Sequence, residues 1–450
     1  MKARAQYLTR YAEPEAAFAG AFDDSYLAAL VVPARAEGPN LLDGLQPALE
    51  RAPGRVLLVL VVNGSVTDGE ATHAENQRLL RHLAGRYPER RELHLPQPGT
   101  RAVLARQAQY DVLWLDCASE GARLPARTGV GTVRKLGGDL AAALWDVGRL
   151  ACPRIASTDA DVTLPEDYFE MLTREVDEPV RSSAWLWPFS HEAGGDAAID
   201  AATVLYEISL RYYVLGLAAA GSPYAYQSIG STVCVDAPAY LSVRGFPKRE
   251  AGEDFYLLDK LAKVAPLHRV QAAPLRIRAR SSDRVPFGTG RRSREISEQS
   301  QAGQEFALYA PGTFQALGAL LEGLDAFATS GRVQAVERAL HERIPHWAEA
   351  AHSVLTGLGL FAALSNAVGQ APLGPVLRRR VHTWFDALRT LRFVHGLRER
   401  CLPSVPWHEA LAAAPFLSQP FRDGVEASAV CRVLADQEAA LPSQVGPSLF

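Results

Sequence analysis

The chain has 450 residues, of which 48% are hydrophobic and 22% are charged, and its formal net charge is -3. These values are typical of globular proteins and argue against a disordered or fibrous chain. The length favours two domains, and the near-neutral charge indicates no general affinity for nucleic acid. The five cysteines include no CxxC pair. Their odd, dispersed distribution suits reduced thiols, so we expect a cytoplasmic protein without a disulfide framework or a zinc site.

The N-terminal segment carries charges throughout and has no central apolar run, so we do not expect it to be a signal peptide. Short β-rich runs then alternate with stretches of helical periodicity. The predicted strands are 26–32, 55–62, 112–115 and 154–156, and the predicted helices are 39–51, 70–87 and 135–150. This alternation predicts an α/β fold with a mostly parallel sheet. In such a sheet, ligands bind beyond the carboxyl ends of the strands.

A glycine turn at 129–131 precedes the helix predicted from residue 135. Gly131 would let backbone N–H groups approach an anion, and Arg134 and Lys135 add positive charge in the same turn. The spacing is neither a Walker A loop nor a dinucleotide fingerprint. A diphosphate is one interpretation, and an ordinary flexible entry to a surface helix is the other.

An acidic turn follows the predicted strand 154–156. Asp159 and Asp161 lie just before a segment with a capping-box pattern, Thr163 to Glu166. Two carboxylates one residue apart at a strand end suit a hard divalent cation, which prefers oxygen ligands and would neutralise a departing diphosphate. A solvated acidic turn is the alternative.

The apolar stretch 205–220 is too short to span a bilayer and contains Glu207 and Arg211. We expect a helix packed on protein, with a peripheral membrane contact as the other option. Farther on, Glu253 and Asp254 open a helical run. Carboxylates at a helix N-terminus are stabilised in the ionised form, so one of them could act as a general base; simple capping is the competing interpretation.

A segment rich in Arg, Ser and Gly covers residues 276–294. Arg276, Arg278 and Arg280 alternate as the face of a strand would, and a basic loop here could close over a diphosphate or simply be solvated. After residue 295 only helical periodicity remains. We therefore predict a catalytic domain over 1–295 and an all-helical C-terminal region over 296–450.

Taken in order, five of these motifs resemble the family 2 glycosyltransferases, which have the GT-A fold of the nucleotide-diphospho-sugar transferases. The matching strings are VVPARAE (31–37), VVNGS (61–65), GVGTVRKLGGD (129–139), STDADVTLPEDYF (157–169) and VRGFPKREAGEDFYLLDKL (243–261). The resemblance implies a nucleotide-diphosphate sugar donor (most simply a UDP-sugar), Mg²⁺ or Mn²⁺, hexosyl transfer to a hydroxyl acceptor, and usually inversion at the anomeric carbon.

Roles follow from this resemblance position by position. Pro33, Glu37 and Asn63 would line the nucleoside pocket, and Arg134 would face the diphosphate. Asp159 would reach the ribose or the metal through water, and Asp161 would ligate the metal directly. Asp254 would deprotonate the acceptor, which Glu253 would help to bind.

The chain also departs from the family pattern. Many members have an acidic residue where this chain has Asn63, and residues 116–127 lengthen a segment that is often shorter. The processive signature QxxRW is missing after Asp254. Transfer of a single sugar is therefore expected, rather than polymer synthesis.

Two alternatives remain at this stage. The first is sugar-1-phosphate nucleotidyltransfer, whose glycine-arginine loop normally follows the first strand, whereas here the glycine turn comes roughly a hundred residues later. The second is a non-catalytic protein that keeps the fold for binding or scaffolding. A pure binding module would need neither Asp159 and Asp161 nor Glu253 and Asp254, which favours the enzyme.

Overall fold

The computed structural model describes residues 2–94, 100–174, 181–282, 288–419, 421 and 424–447. The fold class is α/β with a large mixed central sheet. The chain divides into two compact units. The first comprises Met1–Gly194, Ser228–Leu261 and Leu267–Arg291, and the second comprises Gly195–Gln227, Ala262–Pro266 and Arg292–Phe450. This division differs from a single boundary near 296, since a helix from the middle of the chain belongs to the second unit.

The strands are short apart from three near the centre of the sheet. In chain order they are β1 Ala28–Ala34, β2 Val56–Asn63, β3 Arg90–Leu93, β4 Arg101–Arg106, β5 Tyr110–Cys117, β6 Arg154–Ser157, β7 Val162–Thr163, β8 Ala184–Leu186, β9 Phe189–Glu192, β10 Val233–Asp236, β11 Leu267–Arg269, β12 Leu275–Arg278, β13 Ala307–Leu308, β14 Val405–Pro406 and β15 Gln444–Val445.

Nine strands of the first unit lie side by side in the order β11-β8-β10-β6-β1-β2-β5-β4-β3. The central strands β6, β1, β2 and β5 are parallel, whereas β10 and β4 run antiparallel to their neighbours. All residues of β2 and β5 are buried, which explains their nearly continuous apolar sequences. Because β1, β2 and β6 are parallel, the residues that follow them meet at one edge of the sheet.

The helices cover the sheet of the first unit and make up most of the second. They are α1 Lys2–Arg10, α2 Gln46–Glu50, α3 Glu70–Arg86, α4 Val130–Asp146, α5 Tyr168–Thr173, α6 Ala197–Ala219, α7 Ala237–Ser242, α8 Glu253–Val264, α9 Thr289–Gln301, α10 Gly312–Ser330, α11 Gln334–Arg343, α12 Ala348–Gly357, α13 Leu360–Val368, α14 Pro375–Trp384, α15 Ala387–Arg400, α16 Trp407–Ala413 and α17 Ala427–Ala439. Short 3₁₀ helices occupy Pro14–Ala21, Pro39–Leu42 and Gly230–Thr232.

The predicted strands are confirmed within a few residues of their ends, and so are the helices predicted at 70–87 and 135–150. The helix predicted at 39–51 is instead a 3₁₀ turn followed by the five-residue α2. The alternating arginines at 276–280 do form a strand over Leu275–Arg278, with Leu275 and Ile277 buried. Farther along that basic segment, residues 283–287 lie outside the described residues, and α9 begins at Thr289 where a loop was expected.

The second unit has its own apolar core, built on α6 and the helices from α10 onward. Ile208, Tyr212 and Leu215 of α6 are buried there, so the stretch 205–220 packs on protein, and the alternative of a membrane contact through it finds no support. The unit also contains a two-stranded pair, β13 with β14, where only helices were expected. No single described helix is long and apolar enough to cross a bilayer. Among the described helices, α12 and α13 reach that length and apolar character only when taken together, and they are bent by 71° at the break between them.

Candidate functional site

The Arg134 side chain is the centre of a buried polar cluster in the first unit. It lies on the first turns of α4 and is only 3% exposed. Its Nε donates to Glu253 Oε1 at 2.9 Å, one terminal nitrogen donates to Ser157 Oγ at 2.6 Å, and the other donates to Asp159 Oδ1 at 2.5 Å. The guanidinium thus joins the end of β6 and the acidic turn to the start of α8. These segments are far apart in sequence, and Arg134 brings two of the predicted carboxylate motifs together.

A second arginine, Arg280, holds the other part of the acidic turn. Its terminal nitrogens donate to the two oxygens of Glu37 at 3.0 and 2.9 Å, and its Nε lies 2.6 Å from Asp161 Oδ2. Strand β12 brings it there, since β12 pairs antiparallel with β7 and the Arg278 N–H donates to the Asp161 carbonyl. The basic segment thus lies along the acidic turn, and Glu37, after β1, lies close to Asp161, after β6.

Several carboxylates at this site repel one another. Burial, together with the nearby charges of Asp159 and Glu37, raises the pKa of Asp161 to about 6, although Arg280 opposes the shift. Burial and the neighbouring Glu253 raise the pKa of Asp254 to about 7, although the Phe255 N–H and Arg134 oppose it. Asp254 therefore changes its charge near neutral pH. A carboxylate with such a pKa can accept a proton more readily than one with an ordinary value.

The glycine turn before α4 is packed against the loop that precedes α8. A Cβ on Gly129 would lie 2.0 Å from the Glu250 Cα, and one on Gly131 would lie 2.3 Å from the Pro247 carbonyl oxygen. The Gly131 N–H donates to the Arg249 carbonyl at 3.2 Å. Glycine suits both positions because a side chain would collide with the neighbouring backbone. This geometry gives no support to the phosphate cradle predicted at Gly131. The turn instead fixes the loop that delivers Glu253 to Arg134.

Lys135 points away from Arg134 and from the acidic turn. Its Nζ donates to Asp139 at 2.8 Å and to the Tyr7 hydroxyl at 2.6 Å. The Tyr7 and Tyr240 hydroxyls both donate to Asp139, which completes a buried network between α1, α4 and α7. This network holds the N-terminal helix, so the prediction that Lys135 adds charge at a diphosphate is wrong in this structure.

The predicted nucleoside-side residues lie at the ends of the first two strands. Pro33 is half-buried within β1, opposite Val61 of β2. The buried Asn63 donates from its amide to the Ala34 and Val61 carbonyls. Asn76 of α3 in turn donates to the Asn63 carbonyl and accepts from the Ala36 N–H. Asn63 therefore shapes the loop that carries Glu37, and its Nδ2 is engaged by that backbone.

Among the described residues, the cluster contains five carboxylates, those of Glu37, Asp159, Asp161, Glu253 and Asp254, and the two guanidinium groups of Arg134 and Arg280. This surplus of oxygen donors has the chemistry that Mg²⁺ or Mn²⁺ requires. The geometry is not preassembled: among the described residues, no group of three or more His, Cys, Asp or Glu side chains is arranged to hold a metal ion. One oxygen of Asp159 and one of Asp161 are already bound to guanidinium groups, so a cation would have to use the other oxygens or displace Arg280.

Sequence reasoning missed two residues of this cluster. Ser157 opens the string that contains the acidic turn, but the sequence assigns it no role; its hydroxyl accepts from Arg134. Gly230 lies in the stretch QSIGST at 227–232, whose glycine and serines predict a loop but no contact with Arg134. A Cβ there would lie 2.7 Å from an Arg134 terminal nitrogen. Comparison with protein-family models and with curated proteins found no match to this chain.

Proposed function

We propose that the first unit is a GT-A-type glycosyltransferase that moves a single sugar from a nucleotide-diphosphate sugar to an acceptor hydroxyl, with inversion. The observation that carries this proposal is the direct linkage of Asp159 to Glu253 through Arg134. The acidic turn and the start of α8 are therefore neighbours. The resemblance assigns the first to the donor and the second to the acceptor. A scaffold protein would have no use for this surplus of carboxylates, one of them buried and the others partly buried, because removing charges from water is costly.

Asp254 is the base in this proposal. As the acceptor oxygen attacks the anomeric carbon, the bond from that carbon to the diphosphate breaks, and the acceptor proton passes to the Asp254 carboxylate. The pKa of about 7 suits this task, because the ionised form is present at neutral pH and holds the proton well once it arrives. Glu253 is buried and accepts from Arg134 through Oε1, so its role is to position Arg134 rather than to accept a proton.

On the donor side, Glu37 follows β1 and Asn63 ends β2, and both would form the nucleoside end, with Arg134 and Arg280 nearest the diphosphate. A divalent cation, when bound, would be held by Asp161 with help from Asp159 and would neutralise charge on the departing diphosphate. Arg280 is a second cation at the same carboxylates. Its guanidinium can turn from Glu37 and Asp161 toward a phosphate, which is also a bidentate partner.

The test is donor turnover, measured as release of nucleoside diphosphate from nucleotide sugars with and without Mn²⁺. Metal-dependent release supports transfer. Release of pyrophosphate would favour nucleotidyltransfer, and an absence of release and of binding for every donor would favour a scaffold.

Asp161→Ala is expected to abolish metal-dependent donor binding, measured by the thermal shift that a ligand of the folded state produces. Asp167→Ala is the matched control, because Asp167 is exposed and lies only six residues farther on. Equal donor binding by both variants would contradict the assignment of Asp161.

A further inference from the structure

A long segment of the second unit lacks acidic residues. Residues 350–385 contain no Asp or Glu but include the consecutive Arg378, Arg379 and Arg380, in a chain whose net charge is -3. The segment runs through α13 and α14 and the turn between them. Its charge is therefore opposite in sign to that of the whole protein.

Exposed apolar side chains concentrate in the same segment. The described residues include eight large apolar side chains that are well exposed, and three of them lie within nine positions: Val368 at 40%, Leu373 at 52% and Val376 at 57%. Leu373 Cδ2 and Val368 Cγ1 lie 3.1 and 4.0 Å from the position that a Cβ of Gly331 would take, so these two side chains are neighbours. Single exposed apolar residues are ordinary, but three within nine positions, two of them side by side, are not.

Basic side chains flank this group. Val376 is the second residue of α14, and Arg379 and Arg380 follow it by three and four positions, which places them on the same side of the helix. Both are exposed, as is Arg332 beside Gly331. Within the described part of the chain none of these three arginines pairs with a carboxylate, and Arg380 donates to the Gln370 side-chain oxygen. Arg378 differs, since it is paired with Asp325.

We propose that this surface, formed by Val368, Leu373, Val376, Arg379 and Arg380 and called here the 368–380 surface, binds an anionic lipid bilayer. Apolar side chains beside arginines match the two layers of a membrane interface, because the apolar groups enter the acyl boundary while the guanidinium groups remain at the phosphates. A second copy of this chain fits less well. A symmetric contact would bring Arg379 and Arg380 of both copies toward one another, and neither is paired with a carboxylate within the described residues.

The experiment is co-sedimentation of the full chain with vesicles of phosphatidylcholine, alone or mixed with phosphatidylglycerol. We expect binding only to the mixed vesicles, weakening as salt is raised, because the surface potential is screened. The double variant Arg379→Gln/Arg380→Gln should bind about thirty-fold more weakly, from the contribution of each arginine near an anionic surface. Leu373→Asp/Val376→Asp should abolish binding.

Val147→Asp is the matched control, because Val147 is 55% exposed and lies outside this segment. It should bind like the parent chain, and circular dichroism melts should show that all variants fold. Equal binding to neutral vesicles, or unchanged binding by both double variants, would overturn the proposal. So would self-association, measured by gel filtration over a range of concentrations, that the same substitutions remove, since the surface would then belong to a second copy. These outcomes do not depend on donor turnover, so they test the surface separately from the proposed transfer.

Discussion

Replacing Asp254 by Asn tests the proposed base and the electrostatics of the cluster together. The raised pKa means that, between about pH 4 and 7, the folded chain binds more protons at Asp254 than the unfolded chain does. The free energy of unfolding therefore falls as the pH rises through this interval. The difference between the ordinary value of 3.8 and about 7 corresponds to at most ~4 kcal/mol. Because Asp254 is partly exposed, solvent screening reduces the loss of folding stability expected from its ionised form to about 2 kcal/mol.

The Asn variant keeps an acceptor for the Phe255 N–H but carries no charge. We therefore expect it to be about 2 kcal/mol more stable than the parent at pH 8, with the gain shrinking toward pH 5, as measured by urea unfolding at both pH values. Turnover should fall by about 10²- to 10⁴-fold while donor binding is kept. Glu250→Gln removes an exposed charge four residues earlier and should change neither quantity. Parent-like turnover of Asp254→Asn would refute the base assignment, and a gain equal at pH 5 and pH 8 would refute the electrostatic explanation.

Three further substitutions examine the arginines. Arg134→Met leaves the buried Glu253 without its partner, and urea unfolding should show a loss of about 3–5 kcal/mol. Gly230→Ala should lower turnover at least tenfold by displacing the Arg134 guanidinium, whereas Gly20→Ala, with open space around it, should not; equal activities would contradict the packing argument. Arg280→Gln removes a cation that competes at the acidic turn, so calorimetry should show Mn²⁺ binding at least as tightly and nucleoside diphosphate more weakly. Weaker Mn²⁺ binding would contradict the idea that Arg280 competes with the metal for the carboxylates of the acidic turn.

The central strands could be predicted from sequence because buried parallel strands have continuous apolar runs, as in β2 and β5. The acidic turn could be placed at the edge of the sheet because it directly follows one of the predicted strands, 154–156. The partners of Arg134 could not be predicted, since Glu253 lies 119 residues away and its position depends on how Gly129 and Gly131 admit a neighbouring loop. A glycine turn that packs against backbone has the same sequence pattern as one that binds an anion.

Helical geometry does account for Lys135. Adjacent residues on a helix point about 100° apart, so the expectation that Arg134 and Lys135 would both add charge at one diphosphate disregarded the helical period. With Arg134 directed to the acidic turn, Lys135 meets Tyr7 and Asp139 instead. The sequence places Arg134 and Lys135 next to each other, but on the helix they point to different neighbours. Arg134 belongs to the candidate site, and Lys135 has a structural role.

The charge balance of the cluster is the strongest reason to expect a ligand there. In the part of the chain that the structure describes, five carboxylates accompany two guanidinium groups, and the pKa values of two of them, Asp161 and Asp254, are raised to about 6 and 7. Folding alone would favour replacing such residues, because each buried charge without compensation lowers stability. A cation near Asp161 and a proton delivered to Asp254 would each relieve this repulsion. In the proposed reaction, the metal that accompanies the donor diphosphate and the proton of the acceptor hydroxyl would supply these two positive charges.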